Sequence, residues 1–136
     1  MMEEVTKYYW RQNTDIDVIN LRLSTVVPNE RRDQVGGLRP LGQWSLGSVT
    51  IMALADAVRA FALAAEAPPK PGVRTLNAAG PEVWSTEPTA DILEHWYGHD
   101  VDVSAFRQPG REFGAVFDVT RIHGELGFVA ECTPMR

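Results

Sequence analysis

The sequence predicts an α/β chain containing part of a parallel sheet, and three stretches carry that expectation. Ile16 to Val27 (IDVINLRLSTVV) is rich in β-branched residues and apolar enough to be a strand covered on both faces, as parallel strands usually are. Ser48 to Ala67 (SVTIMALADAVRAFALAAEA) opens with Val49, Thr50 and Ile51 and then turns helical in period. Val73 to Ala78 (VRTLNA) follows a Lys70-Pro71-Gly72 turn and reads as a second short strand.

The remaining elements follow in order. Met2 to Gln12 is expected to be a short helix, with Met2, Val5 and Tyr9 on one face and acidic Glu3 and Glu4 at its positive end; Asn13 and Thr14 stop it. The strand after it needs a parallel neighbour, and nothing upstream is long enough to supply one. Pro28 to Trp44 carries turn residues and charges without period, the kind of long connection that usually has a role. In the helix of the next unit, Leu54, Val58, Phe61, Ala62 and Ala65 share one face and are expected to pack. Asp56 and Arg59 lie off that face and are expected to pair in water, and Pro68-Pro69 ends the helix.

Beyond the second strand, Ser85 reads as a helix cap, Pro88 fits a first turn, Ile92, Leu93 and Trp96 form an apolar side, and Gly98 ends the helix. Val101 to Phe106 alternates like a surface strand. Phe113 to Val119 is weakly extended, and a last helix starts at Asp118 or Thr120 and runs to Leu126, closed by Gly127. Thr133 to Arg136 reads as a loose tail. No repeat, low-complexity segment or composition shift divides the 136 residues, so residues 1–136 are expected to form one domain.

Composition narrows the function classes. A net charge of −5 argues against a general phosphate-backbone binder, and Arg31-Arg32 is flanked by Glu30 and Asp33, as in a solvated loop. Cys132 stands alone, so no intrachain disulfide can form and a reducing compartment fits. The opening MMEEVTKYYW lacks the basic start and apolar core of a secretory signal, and no apolar run reaches the length of a membrane span. The expected location is the cytoplasm, with no nucleic-acid or membrane partner.

Four local matches, in the same order and spacing, give the chain a family resemblance. Asp17 to Pro28 (DVINLRLSTVVP) looks like a sixth sheet strand and the ligand loop after it. Ile51 to Pro68 resembles an "HVDDVARA" strand-helix unit, Leu76 to Ser85 (LNAAGPEVWS) is similar to "FNVGGGEPVS", and Arg107 to Phe128 resembles "RPGD…DxSKAxxxLGW". Together they resemble the carboxyl-terminal half of the extended short-chain dehydrogenases, the NAD-dependent epimerase/dehydratase family that acts on nucleotide sugars. The resemblance implies the last strands of a Rossmann-like parallel sheet plus a small mixed α/β substrate lobe.

It also implies NAD(P) for the family, although the chain has neither a GxGxxG turn nor a Tyr-x-x-x-Lys pair: Tyr8 is followed four places on by Gln12, and Tyr9 by Asn13. The expectation is therefore a substrate-binding portion that binds no cofactor alone and has no catalytic residue of its own. Its partners would be a nucleotide sugar or related small molecule, and either an amino-terminal half or further copies of the chain. Thr25 occupies a substrate-contact position, Arg107 retains the arginine of "RPGD", and Trp44 is placed to line a pocket or partner surface. Val49 stands where the family often has a second arginine, and Arg111 replaces the acid of "RPGD".

Each candidate has a plainer reading. Arg107 is either a bidentate phosphate clamp or a surface arginine beside a turn. His95 and His99 are four apart, yet Gly98 breaks the helix between them and no further ligand has metal-site spacing. His123 reads as structural and Cys132 as inert; Trp10, Trp84 and Trp96 read as packing residues. The competing function is a free-standing ligand-binding or assembly module that self-associates through an open sheet edge.

Overall fold

The computed structural model describes residues 2–28 and 49–134. Trp44, Arg31-Arg32 and the connection between Pro28 and Trp44 lie outside the described residues. The helices and strands are α1 (Met2–Gln12), β1 (Asp17–Leu23), β2 (Thr25–Val27), β3 (Ile51–Ala53), α2 (Leu54–Glu66), β4 (Gly72–Ala78), α3 (Thr89–Tyr97) and α4 (Thr120–Leu126), with one 3₁₀ turn at Ser104–Phe106. The fold is mixed α/β with two small parallel sheets of two strands each, β1–β4 and β2–β3.

The expected long strand is in fact two. Residue Ser24 is buried and its N–H bonds the carbonyl of Ala78 at 3.0 Å, so the chain turns there and leaves one sheet for the other. The missing neighbour of β1 lies downstream: β4 pairs with it in parallel from Asp17↔Gly72 to Leu23↔Ala78. β2 pairs with β3 from Thr25↔Ile51 to Val27↔Ala53. β1 is also less covered than its composition implies, since none of its residues is fully buried.

The two faces of the β1–β4 pair follow from the two-residue alternation of a strand. Ile19 and Leu21 face the main core with Leu76 and Ala78, against Ala57 and Ala60 of α2 and Ile122 and Leu126 of α4. Asn20 and Arg22 face α1, where Asn20 donates to Thr6 at 3.0 Å and Arg22 grips the Glu3 carboxylate with two bonds. Full burial of a Leu or Ile such as Leu76 or Ile122 stabilises by about 2 kcal/mol each.

Helix α2 turns the opposite side inward from the one its period predicts. Leu54, Val58 and Phe61 are each about half exposed, and the buried positions are Asp56, Ala57 and Ala60, with Leu63 and Ala64 partly buried. Both stripes are apolar, so periodicity alone does not rank them. The alanine stripe lets the helix backbone approach the sheet closely, and dense packing selects it over the bulkier stripe. Asp56 is therefore a buried group. It still pairs with Arg59 at 2.8 Å, with the carboxylate buried and the guanidinium partly exposed.

Three further expectations change. Ser85 caps no helix: its hydroxyl donates to the Glu87 carboxylate at 2.8 Å, and Pro88 precedes α3 instead. Val101 to Phe106 contains no strand, because Val103 is buried and the chain coils into the 3₁₀ turn behind it. Pro134 is buried, so the tail is not loose at that point. By contrast, α4 starts at Thr120 with Asp118 accepting its N–H at 2.9 Å. It ends at Gly127, whose φ of 67° is the left-handed cap that glycine adopts at little cost. Gly98 ends α3, leaving His99 outside the helix that holds His95.

Candidate functional site

Open parallel α/β sheets bind ligands beyond the carboxyl ends of their strands, because the loops that leave those ends diverge and enclose space. β4 ends at Ala78, and the residues immediately after it open onto two adjoining cavities. The larger, about 490 Å³, is walled by Pro81, Glu82, Arg111, Glu112, Phe113 and Phe117, among others. The smaller, about 280 Å³, is lined mainly by apolar groups, including Ala79, Phe128, Val129 and Ala130, with His123 and Thr120 at its polar side. Pro81 and Val119 line both. The larger volume alone falls in the range of small-molecule sites.

The walls are irregular in secondary structure yet closely bonded. Thr89 donates its N–H to the carbonyl of Glu112 and its hydroxyl to that of Gly114, both at 2.7 Å. Val83 donates to Phe113 at 2.9 Å, Ala115 to Pro81 at 3.1 Å, and the Asn77 amide to Asp118 at 3.0 Å. Val83 and Ile92 anchor this network in a second apolar cluster with Phe113, Val116 and Trp96. A cavity held this way exists before a ligand arrives, which spares the ordering cost of forming it. Gly80 has its own role there: a Cβ on it would lie 2.0 Å from the Ile51 carbonyl oxygen, so the backbones of β3 and the loop after β4 meet as only glycine permits.

The apolar cavity has a wall that comes from the far end of the chain, and Asp56 holds it. Its carboxylate accepts the N–H groups of Glu131 and Cys132, each at 3.1 Å, and the Arg59 guanidinium at 2.8 Å. Arg59 also bonds the Val129 carbonyl and Glu131, and lies over the Phe128 ring 5.5 Å from its centroid. A buried carboxylate with several donors is stable, whereas the same donors left without it would each be desolvated and unmatched.

Of the three site residues expected from sequence, the two described ones, Thr25 and Arg107, line neither cavity. Thr25 sits at the start of β2 and is exposed, and it lines neither cavity. Arg107 follows the 3₁₀ turn and pairs with Glu94 of α3, which also faces His99 at 3.6 Å. The Arg107 hydrogen bond holds the Glu94 carboxyl below the ordinary carboxylate range, and Glu94 in turn raises the Arg107 guanidinium. Trp44 is outside the described residues. Arg111, four positions on, lines the larger cavity, and no ion pair holds it among the described residues. His123 is exposed at the rim of the smaller cavity and is not packed into the helix interior. The Pro109-Gly110 turn just before Arg111 was the signal available in the sequence for a redirected side chain; nothing local marked His123 or Asp56.

No group of three or more His, Cys, Asp or Glu side chains is placed to hold a metal ion among the described residues, and no described helix is long and apolar enough to cross a membrane. Comparison with protein-family models, with curated proteins and with solved structures finds no match to this chain.

Proposed function

We propose that this chain is the substrate-binding portion of an NAD(P)-dependent oxidoreductase of the nucleotide-sugar epimerase/dehydratase kind, and that it performs no hydride transfer alone. The observation that carries the proposal is the pair of cavities beyond the carboxyl end of β4, in a parallel pair whose strands are joined through β3 and α2. Ligands of Rossmann-like sheets occupy that place. On this reading, a chain with neither a Gly-rich pyrophosphate turn nor a Tyr-x-x-x-Lys pair contributes substrate binding and leaves cofactor binding and proton transfer to other residues.

The test combines an activity assay with a binding map. Incubated with NAD(P) and a panel of nucleotide sugars, the chain should yield no epimerised, dehydrated or oxidised sugar by chromatography. The same sugars should shift the backbone amide resonances of Ala79, Gly80 and Glu82 and of residues 111–119. Turnover by the chain alone, or shifts confined to other regions, would overturn the proposal.

A second reading has its own observation. Among the described residues β1 pairs only with β4, and Met2, Tyr8 and Tyr9 stand exposed on the neighbouring α1. An open strand edge beside apolar side chains favours a self-associating assembly module. Sedimentation velocity at micromolar concentration separates the two: a concentration-independent monomer rules out the assembly module.

A further inference from the structure

We propose that the two cavities work as one site for a ligand with a flat, weakly polar ring and an anionic group. The ring sits in the lobe formed by Ala79, Val119, Phe128 and Ala130, and the anion meets Arg111. The ligand's identity as a nucleotide sugar rests on the function proposed above; the division of labour between the lobes does not.

Three features of the site lead there. Pro81 and Val119 belong to both linings, so the two cavities adjoin along these residues, and a single ligand lying across them would reach both lobes. Their chemistries differ: one is apolar apart from His123 and Thr120, while the other holds a guanidinium and the carboxylates of Glu82 and Glu112. An apolar slot rewards a ring that gives up little hydration, and a guanidinium rewards an oxyanion it can grip with two bonds. The carboxylates suit hydroxyl donors elsewhere on the ligand and disfavour a ligand that is anionic throughout.

The third feature is the contrast between two arginines on the same loop. Arg107 is bound to Glu94, so an anion must displace a carboxylate to reach it. Arg111 lines the cavity without an ion pair among the described residues. Sequence position favours Arg107 as the anion contact; geometry assigns the task to Arg111.

The experiment measures dissociation constants by calorimetry for uridine diphosphate, uridine and 1-anilinonaphthalene-8-sulfonate, using the full chain and the variants Arg111→Gln, Arg107→Gln and Ala130→Phe. Far-ultraviolet circular dichroism checks that each variant is folded. Arg111→Gln should weaken uridine diphosphate and the sulfonate about tenfold or more, as loss of a charge-assisted contact does, and leave uridine unchanged. Ala130→Phe, which fills the apolar lobe, should weaken all three. Arg107→Gln should change none.

If Arg107→Gln weakens the anions and Arg111→Gln does not, this inference falls while the nucleotide-sugar proposal stands. If the sulfonate binds and responds to Arg111→Gln and Ala130→Phe but no nucleotide binds, the two-lobed site stands and the nucleotide-sugar proposal falls. Binding of none of the three probes overturns both.

Discussion

The face of the β1–β4 pair that meets α2 and α4 is dry and apolar, whereas the face that meets α1 is held by polar side chains. On the first, Leu76, Ala78, Ala57, Ala60 and Ile122 are all nearly inaccessible to water. On the second, α1 has no buried residue, and its recorded side-chain bonds to the strand are Asn20 to Thr6 and Arg22 to Glu3. The two faces of one strand pair therefore differ in what holds them. Apolar burial contributes in proportion to area removed from water, while exposed ion pairs contribute little and are screened by salt. The stability of this chain resides on the α2–α4 side, and α4 also contributes Thr120 and His123 to the smaller cavity. The α1 side is the one left open to a further layer.

Substitutions that strike the closed side should dominate. Gly80→Ala has the largest expected effect, because the added Cβ meets a backbone oxygen that no rotamer change can move. A loss of about 4 kcal/mol or outright failure to fold is expected, measured by urea denaturation. A Gly80→Ala protein of near-native stability would show that the loop after β4 can shift away from β3.

Asp56→Ala comes next, at about 2–3 kcal/mol, since two backbone N–H groups and a guanidinium lose a buried acceptor. Hydrogen exchange gives the sharper readout: protection should fall at Glu131 and Cys132 while the strand amides of β4 keep theirs. Equal loss across the whole chain would mean that the carboxyl-terminal segment is not a separable wall.

The acid limb of stability tests the ion-pair cluster at the edge of the closed face. Arg74 is 6 % exposed and binds Asp17 at 2.5 Å and Glu125 at 3.3 Å, and Arg121 binds Glu125 at 2.7 Å. The Arg74 bond depresses the Asp17 carboxyl, and the Arg121 bond, with help from Arg74, depresses Glu125. Carboxylates with folded pKa values below their unfolded ones contribute stability that is present above the ordinary carboxylate range and is lost as pH falls from that range down through the lowered folded values. Urea midpoints should therefore drop on acidification through that range. Asp17→Asn should lower the neutral-pH midpoint and flatten its acid dependence; an unchanged slope would remove Asp17 from the cluster's energetics.

The smallest effect belongs to the open side. Glu3→Gln weakens the two bonds to Arg22 at the surface and should barely move the urea midpoint, with even that small difference shrinking in high salt. A larger loss would mean that α1 is held as firmly as α2, and the contrast between the two faces would disappear.

Much of the element order was legible because it depends on local chemistry. α1 from Met2 to Gln12, β4 through Ala78, α3 ending at Gly98 and α4 closing at Gly127 all follow from period, turn residues and caps acting within a few positions. The strand behind Ile16 to Val27 was legible as extended, but its break was not. The bend at Ser24 is set by a bond to Ala78, more than fifty residues away, and no local residue type announces it. The candidate site was legible only in part. Arg107 and Thr25 stood out by resemblance, yet the cavities recruit Arg111, His123 and the wall that Asp56 holds, all of which meet through long-range contacts.

The sequence by itself determined the α/β class, the carboxyl ends of the helices and the absence within it of a Gly-rich cofactor turn, because each is written in residues close to one another. Only the tertiary structure decided which stripe of α2 is buried, that Asp56 is a buried acceptor, and which of two arginines faces a cavity. Helix periodicity lists the apolar stripes available. Close packing against a particular sheet chooses among them by size as well as hydrophobicity, and that choice is made by partners distant in the chain.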